Sequence, residues 1–173
     1  MIVHAEIDRT GAPLQVTHLG WFGFAVLSKY KWRLDQEYSY QSSINGIEYD
    51  SKYLKITKDG VVTHKKGYCW DGASGPTWDT ESCRLAAMKH DGWYQILREA
   101  DIPNHLRAAI KLYADQVQLH DQALADGMSE FRAGYWLYFV DKFGGSNCAP
   151  SDNDGDHGDG GFRFPDDTDG YNR

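Results

Sequence analysis

His90, Asp91 and Asp115 have the residue types and spacing that proton-transfer chemistry needs. An imidazole held at one ring nitrogen by a carboxylate is fixed in tautomer and orientation, and the carboxylate stabilises the imidazolium. The far nitrogen can then take a proton, which makes a general-base dyad. Asp115 is the natural carboxylate. It interrupts a stripe of Ala108, Leu112 and Leu119 on a segment whose opposite stripe (Leu106, Ile110, Tyr113, Val117, Leu124) is apolar as well. A helix apolar on two sides is expected to be enclosed, and an enclosed carboxylate is costly unless paired. The competing reading is a buried His–Asp pair that only ties two helices together, with Asp91 a solvated acid.

The run Gly67-Tyr-Cys-Trp-Asp-Gly-Ala-Ser-Gly-Pro76 precedes the histidine. Its glycines and proline specify a particular backbone path in which carbonyls and amides can point inward. Hard cations take oxygen ligands, so loop carbonyls with Asp91 first, or Asp71 second, would suit calcium. The plainer reading is a tight turn in which Asp71 and Ser74 bond local amides. A Ser74–His90–Asp115 nucleophilic triad is disfavoured, because this loop lacks the strand–elbow–helix context of such a serine. Trp70, Trp78 and Trp93 flank the site. They read either as packing or as an apolar mouth suited to a lipid-like substrate.

These residues need helices to bring them together. Asp79 or Thr80 can cap a helix to about Arg98, with Cys83, Ala86, Ala87, His90, Tyr94 and Leu97 along one stripe. Asp101-Ile-Pro-Asn is a short connection. The second helix runs to about Asp126, with Gly127 positioned as a left-handed stop. His90 lies 11 residues before Asp101 and Asp115 lies 14 after it. On antiparallel helices that is an axial offset of roughly 4–5 Å, less than one turn, so the two side chains can meet. Ser129 caps a third helix through Phe143, closed by Gly144-Gly145, with an apolar stripe of Phe131, Tyr135, Tyr138 and Phe139.

Ahead of the helices, Leu14 to His64 reads as strands: Trp21–Leu27, Tyr30–Leu34, Tyr53–Thr57 and Val61–Thr63 are rich in aromatic and β-branched residues. Asn45-Gly46 and Asp59-Gly60 are hairpin signals. The fold class is therefore α+β: a small N-terminal antiparallel sheet of about four or five strands followed by three helices. Residues 1–147 form one domain, and 148–173 form a flexible Asp/Gly-rich tail too poor in apolar residues to offset its ordering entropy.

The chain has 41% hydrophobic and 14% aromatic residues, enough for a sizeable core. Residues 151–173 hold seven acids against two bases, a balance of −5, so the preceding 150 residues carry only −2 of the net −7. That distribution argues against nucleic acid as a partner. Asp152-x-Asp154-x-Asp156 opens like a calcium loop, but Gly158 and Arg163 stand where that loop requires other positions and residues. Cys69, Cys83 and Cys148 are odd in number and form no CxxC, so free thiols are expected in preference to a Cys69–Cys83 disulfide. No apolar run reaches the roughly 20 residues of a membrane span, and the N-terminus has no signal-peptide pattern.

Trp70-Asp-Gly-Ala-Ser-Gly-Pro76, Ala86-Ala-Met-Lys-His-Asp-Gly-Trp-Tyr94, Ala114-Asp115 and a closing aromatic helix ending Lys142-Phe-Gly144 occur in that order. The set resembles a phage and bacterial domain family of unknown function (number thirteen fifty-three), over about Tyr53 to Gly145. Its pattern is T-D-x-A-S-x-P, A-x-x-H-D-x-L-Y, A-D and a helix before F-G. Trp70 and Trp93 depart from it, as does extra sequence at 102–109. This resemblance implies a phage or prophage setting, in a virion or in the cytoplasm of an infected host, with other phage proteins as partners.

The glycine-rich loop, the H-D-x-x-Y helix and the A-D on a partner helix are also similar to phospholipase A-two, notably the short form in parvovirus capsids. That similarity implies a metal-dependent ester hydrolase acting on phospholipid. His90 would deprotonate water, Asp115 would orient His90 and Tyr94 would support the dyad. Asp91 and carbonyls of Tyr68 to Gly72, Trp70 among them, would hold calcium, with Asp71 as an auxiliary carboxylate. Ala86-Ala87 stand where the secreted enzymes have cysteines. The alternative is a non-catalytic virion or accessory protein in which the dyad is structural.

Overall fold

The computed structural model describes residues 14–18, 30–73 and 78–145. The expected Trp21–Leu27 strand, Ser74 and the tail from 148 onward lie outside the described residues.

The strands form two antiparallel sheets where one was expected. The first has the order β1-β2-β7, from β1 (Val16–His18), β2 (Trp32–Leu34) and β7 (Cys69–Trp70). The second has the order β3-β6-β5-β4, from β3 (Tyr38–Gln41), β4 (Tyr49–Asp50), β5 (Leu54–Ile56) and β6 (Val61–His64). Asp59-Gly60 makes the expected hairpin: Gly60 has φ +87, the Thr57 amide bonds the Val61 carbonyl, and Ile56 pairs with Val62. Asn45-Gly46 does not. Gly46 has φ +82, but it lies on the link from β3 to β4, strands at opposite edges of their sheet. Alternation puts Leu54, Ile56, Val62 and His64 on the buried face of this sheet.

The helices follow. α1 (Glu81–Glu99) starts after an extended Thr80 and carries the expected stripe, all of it buried. Met88, Lys89, Trp93 and Ile96 are buried too, so α1 is enclosed on nearly every side as the central rod of the domain. α2 (Asn104–Tyr113), a π-helical stretch (Ala114–Asp121) and α3 (Gln122–Ala125) make one continuous rod, stopped at Gly127 with φ +89. α4 (Glu130–Phe143) completes the set.

Two expectations about helix faces need correction. Leu106 and Leu112 are exposed, so the second rod is apolar toward the core on one side only, through Ile110 and Tyr113. The aromatic stripe of α4 points to solvent, while Ala133 and Trp136 are its buried residues. Cys69 and Cys83 are buried free thiols. No described helix is long and apolar enough to cross a membrane.

Candidate functional site

Asp115 lies at the start of the π-helical stretch, on the side of the rod that faces α1. With α-helical spacing Leu112 and Asp115 share a face, yet Leu112 is 61% exposed and Asp115 only 3%. Bonding from i to i+5, which is rare and recurs at functional sites, runs over Ala114–Asp121. Asp115, Gln118 and Leu119 of that stretch are buried against α1.

There Asp115 meets three side chains. His90 Nε2 lies 3.0 Å from Asp115 Oδ1, and the Tyr94 hydroxyl donates to the same oxygen at 2.9 Å. Lys111 Nζ donates to Oδ2 at 2.6 Å. The two expected dyad residues, His90 and Asp115, and their expected support, Tyr94, therefore meet. Sequence reasoning missed Lys111, although its position four residues before Asp115 is a regular helical pair spacing.

The far nitrogen of His90 is not unoccupied, as the dyad reading required. Nδ1 faces Asp91 Oδ1 at 3.5 Å, a long contact. His90 is thus a buried ring between two carboxylates. Burial works against its charged form, but hydrogen bonds with Asp115 and then Asp91 outweigh it and hold its pKa above the ordinary 6.5. Burial pushes the Asp115 carboxyl upward; His90 and Lys111, with Tyr94 adding, override it and hold the carboxyl below 3.8. Asp91, half-buried, is pushed up to about 6 by burial; His90 opposes the rise and Asp71 adds to it. The site is thus one buried carboxylate accepting from His90, Tyr94 and Lys111, with Asp91 and Asp71 at its edge.

No family model, curated protein or solved structure matches the chain. What the site can do rests on its own geometry.

The expected calcium donors fit a cation poorly. Tyr68 and Trp70 carbonyls accept ladder hydrogen bonds from the amides of Leu34 and Lys31, because Cys69–Trp70 is strand β7 and not an open loop. Gly72 has φ +78, and a Cβ there would sit 2.4 Å from Asp79 Oδ2. Asp79 accepts the Ala73 amide at 3.0 Å and pairs with Lys31 at 3.2 Å, so it supplies the local fastening expected of Asp71 and Ser74. The described residues hold no group of three or more His, Cys, Asp or Glu side chains placed for a metal ion. Asp71 and Asp91 are the two expected donors left side by side. Of the flanking tryptophans, Trp70 and Trp93 are buried in the core, Trp93 edge-on to Tyr113 at 5.1 Å, and Trp78 is exposed.

Sequence reasoning also missed two buried polar groups. Lys89 is fully buried, donating to Gln122 Oε1 at 2.8 Å with its ammonium 4.3 Å from the Tyr40 ring centroid. His64 on β6 contacts the Met88 carbonyl through Nε2 at 3.2 Å, and burial pushes its pKa down to about 3. The ring sits where a Cβ on Gly92 would be, 2.3 Å from Nε2. Strand and helix are thus interlocked directly behind the His90-Asp91 pair.

Proposed function

We propose that this chain is a general acid–base hydrolase in which His90 moves the proton and Asp115 positions it, acting on an ester. The 3.0 Å contact between His90 Nε2 and Asp115 Oδ1 carries this reading, because it directs Nδ1 toward Asp91 at the half-buried edge of the site. In the step proposed, a water oxygen attacks the ester carbonyl and its proton passes to neutral His90 Nδ1. Asp115 stabilises the resulting imidazolium. The imidazolium then returns that proton to the departing alkoxide as the acyl C–O bond breaks, giving acid and alcohol. Tyr94 and Lys111 hold Asp115 still, which preorganises the ring. A lipid ester is the substrate class implied by the phospholipase similarity.

The test is acid release from phospholipid vesicles and from a soluble aryl ester, with and without added calcium. His90→Gln and Asp115→Asn are expected to lose about 100-fold or more, the usual scale of general-base catalysis. Wild-type levels of turnover in either variant sink the proposal, as does an inactive wild type.

A second reading has its own support. Lys111 already neutralises Asp115, and both ring nitrogens of His90 face carboxylates. In a non-catalytic phage virion or accessory protein the same network would be an internal tie between α1 and the π-helical stretch. The same variants would then lose stability alone, and the chain would copurify with particles.

A further inference from the structure

We infer that the outer face of α4 is the contact surface of a symmetric homodimer, with two copies of α4 packed antiparallel. Phe131, Tyr135, Tyr138 and Lys142 recur at spacings of four, three and four, the pattern of a helix seam. Ring contacts run along it without a break: Phe131–Tyr135 at 6.5 Å, Tyr135–Phe139 at 4.7 Å and Phe139–Phe143 at 5.7 Å. Phe131 is 86% exposed and Phe143 is 69% exposed. Trp78, 83% exposed, adjoins the first turn through Arg132, which donates to its carbonyl.

The seam is complementary to its own reverse. With a two-fold axis between Trp136 and Leu137, Phe131 of one copy lies opposite Lys142 of the other, a cation–π pair. Tyr135 lies opposite Tyr138. Gly134, whose missing Cβ leaves open space with nothing within 4 Å, lies opposite Phe139 and offers its ring a notch. Antiparallel helix dipoles add a favourable term. The exposed aromatic area comes to about 700 Å² per copy, against roughly 800 Å² per partner in a standard stable interface. A lipid surface fits less well, because the stripe carries a single cation, Lys142, at its C-terminal end, and the chain is acidic overall.

The experiment is sedimentation equilibrium of the full chain at micromolar concentration. The expected species has twice the 19.6 kDa chain mass. Tyr138→Glu should be monomeric. Gly134→Leu should also be monomeric while keeping helical circular dichroism, since leucine favours helix over glycine and its Cβ would meet nothing within 4 Å. A monomeric wild type overturns the inference, and so does a dimer that survives both substitutions. Two specific results would name another occupant and equally overturn it: a monomer that cosediments with neutral phosphatidylcholine vesicles, or a monomer in which Tyr138→Glu exposes residues 146–173 to protease.

Discussion

Lys111 Nζ lies 2.6 Å from Asp115 Oδ2, one turn back along the same rod, while His90 holds Oδ1 from the neighbouring helix. The carboxylate is therefore shared between a lysine and a histidine. The share taken by Lys111 limits how strongly Asp115 can stabilise the imidazolium.

Lys111→Met removes that competition, so the His90 pKa is expected to rise further, and Asp115→Asn should bring it down. Histidine ring titration by NMR reads both. Asp115→Asn also leaves Lys111 and His90 facing a neutral amide, and should cost about 3 kcal/mol, the scale of breaking a buried pair. No shift of His90 in either variant would show that Asp115 does not govern the ring.

Hydrolysis should need neutral His90. Its pKa stands above 6.5, so kcat/KM should rise with pH through an ionisation above histidine's ordinary value. In Lys111→Met that ionisation should move to still higher pH. A profile unchanged by the substitution would assign the ionisation to another group.

His64 and His90 give stability opposite slopes with pH. The His64 pKa is lowered to about 3. Between pH 6.5 and 3 the unfolded chain binds a proton that the folded chain refuses, so stability falls as pH falls, by about 4 kcal/mol at pH 3 if nothing compensates. His90 has a raised pKa. Its contribution is fully present below 6.5 and is lost as pH rises through the folded value. Urea midpoints across pH should show His64→Phe flattening the acid limb and His90→Gln flattening the alkaline limb. The same response from both variants would refute these assignments.

The sequence carries the parts of this design that follow short-range rules. Capping and stripe spacing place His90 and Tyr94 on one face of α1, and counting residues from the turn at Asp101 places Asp115 opposite them within one turn. Asp59-Gly60 encodes its hairpin through the positive φ it requires. What stays hidden depends on longer range or on a change of helical period. Nothing local announces i to i+5 bonding at Ala114, and nothing says which edge of the rod faces α1, so Leu112 reads as core when it faces water. The β7 ladder that occupies the Tyr68 and Trp70 carbonyls is made with β2, more than thirty residues earlier. The stripe of α4 is legible as apolar, but its side toward solvent is not, because periodicity says that a helix has an apolar face and not what covers it.

Gly92 and His64 should be coupled energetically. A Cβ on Gly92 would lie 2.3 Å from His64 Nε2 in a packed interior, so Gly92→Ala is expected to cost about 2 kcal/mol despite alanine's better helix propensity. His64→Ala removes the obstacle, and the double variant should be more stable than the sum of the singles predicts. Additive costs in urea melts would mean that the ring moves aside freely.

Gly144 bears on the candidate site from outside it. A Cβ there would meet the Tyr94 hydroxyl at 2.8 Å and the Val140 carbonyl at 2.6 Å. The hydroxyl is the group that donates to Asp115 Oδ1, so Gly144→Ala should push the phenol off the carboxylate and reproduce Tyr94→Phe. Each should cost about 1 kcal/mol for the lost hydrogen bond, with Gly144→Ala costing more because the Val140 carbonyl must also give way. Both should shift the His90 titration in the same direction, upward, since Asp115 loses one donor and leans more on the imidazolium. If Tyr94 acts only as packing, Tyr94→Phe leaves that titration where it was, and Gly144→Ala lowers stability without touching His90. Combining the two substitutions separates the cases further. A shared route through the hydroxyl makes their effects on His90 non-additive, because Tyr94→Phe leaves no hydroxyl for the alanine to displace.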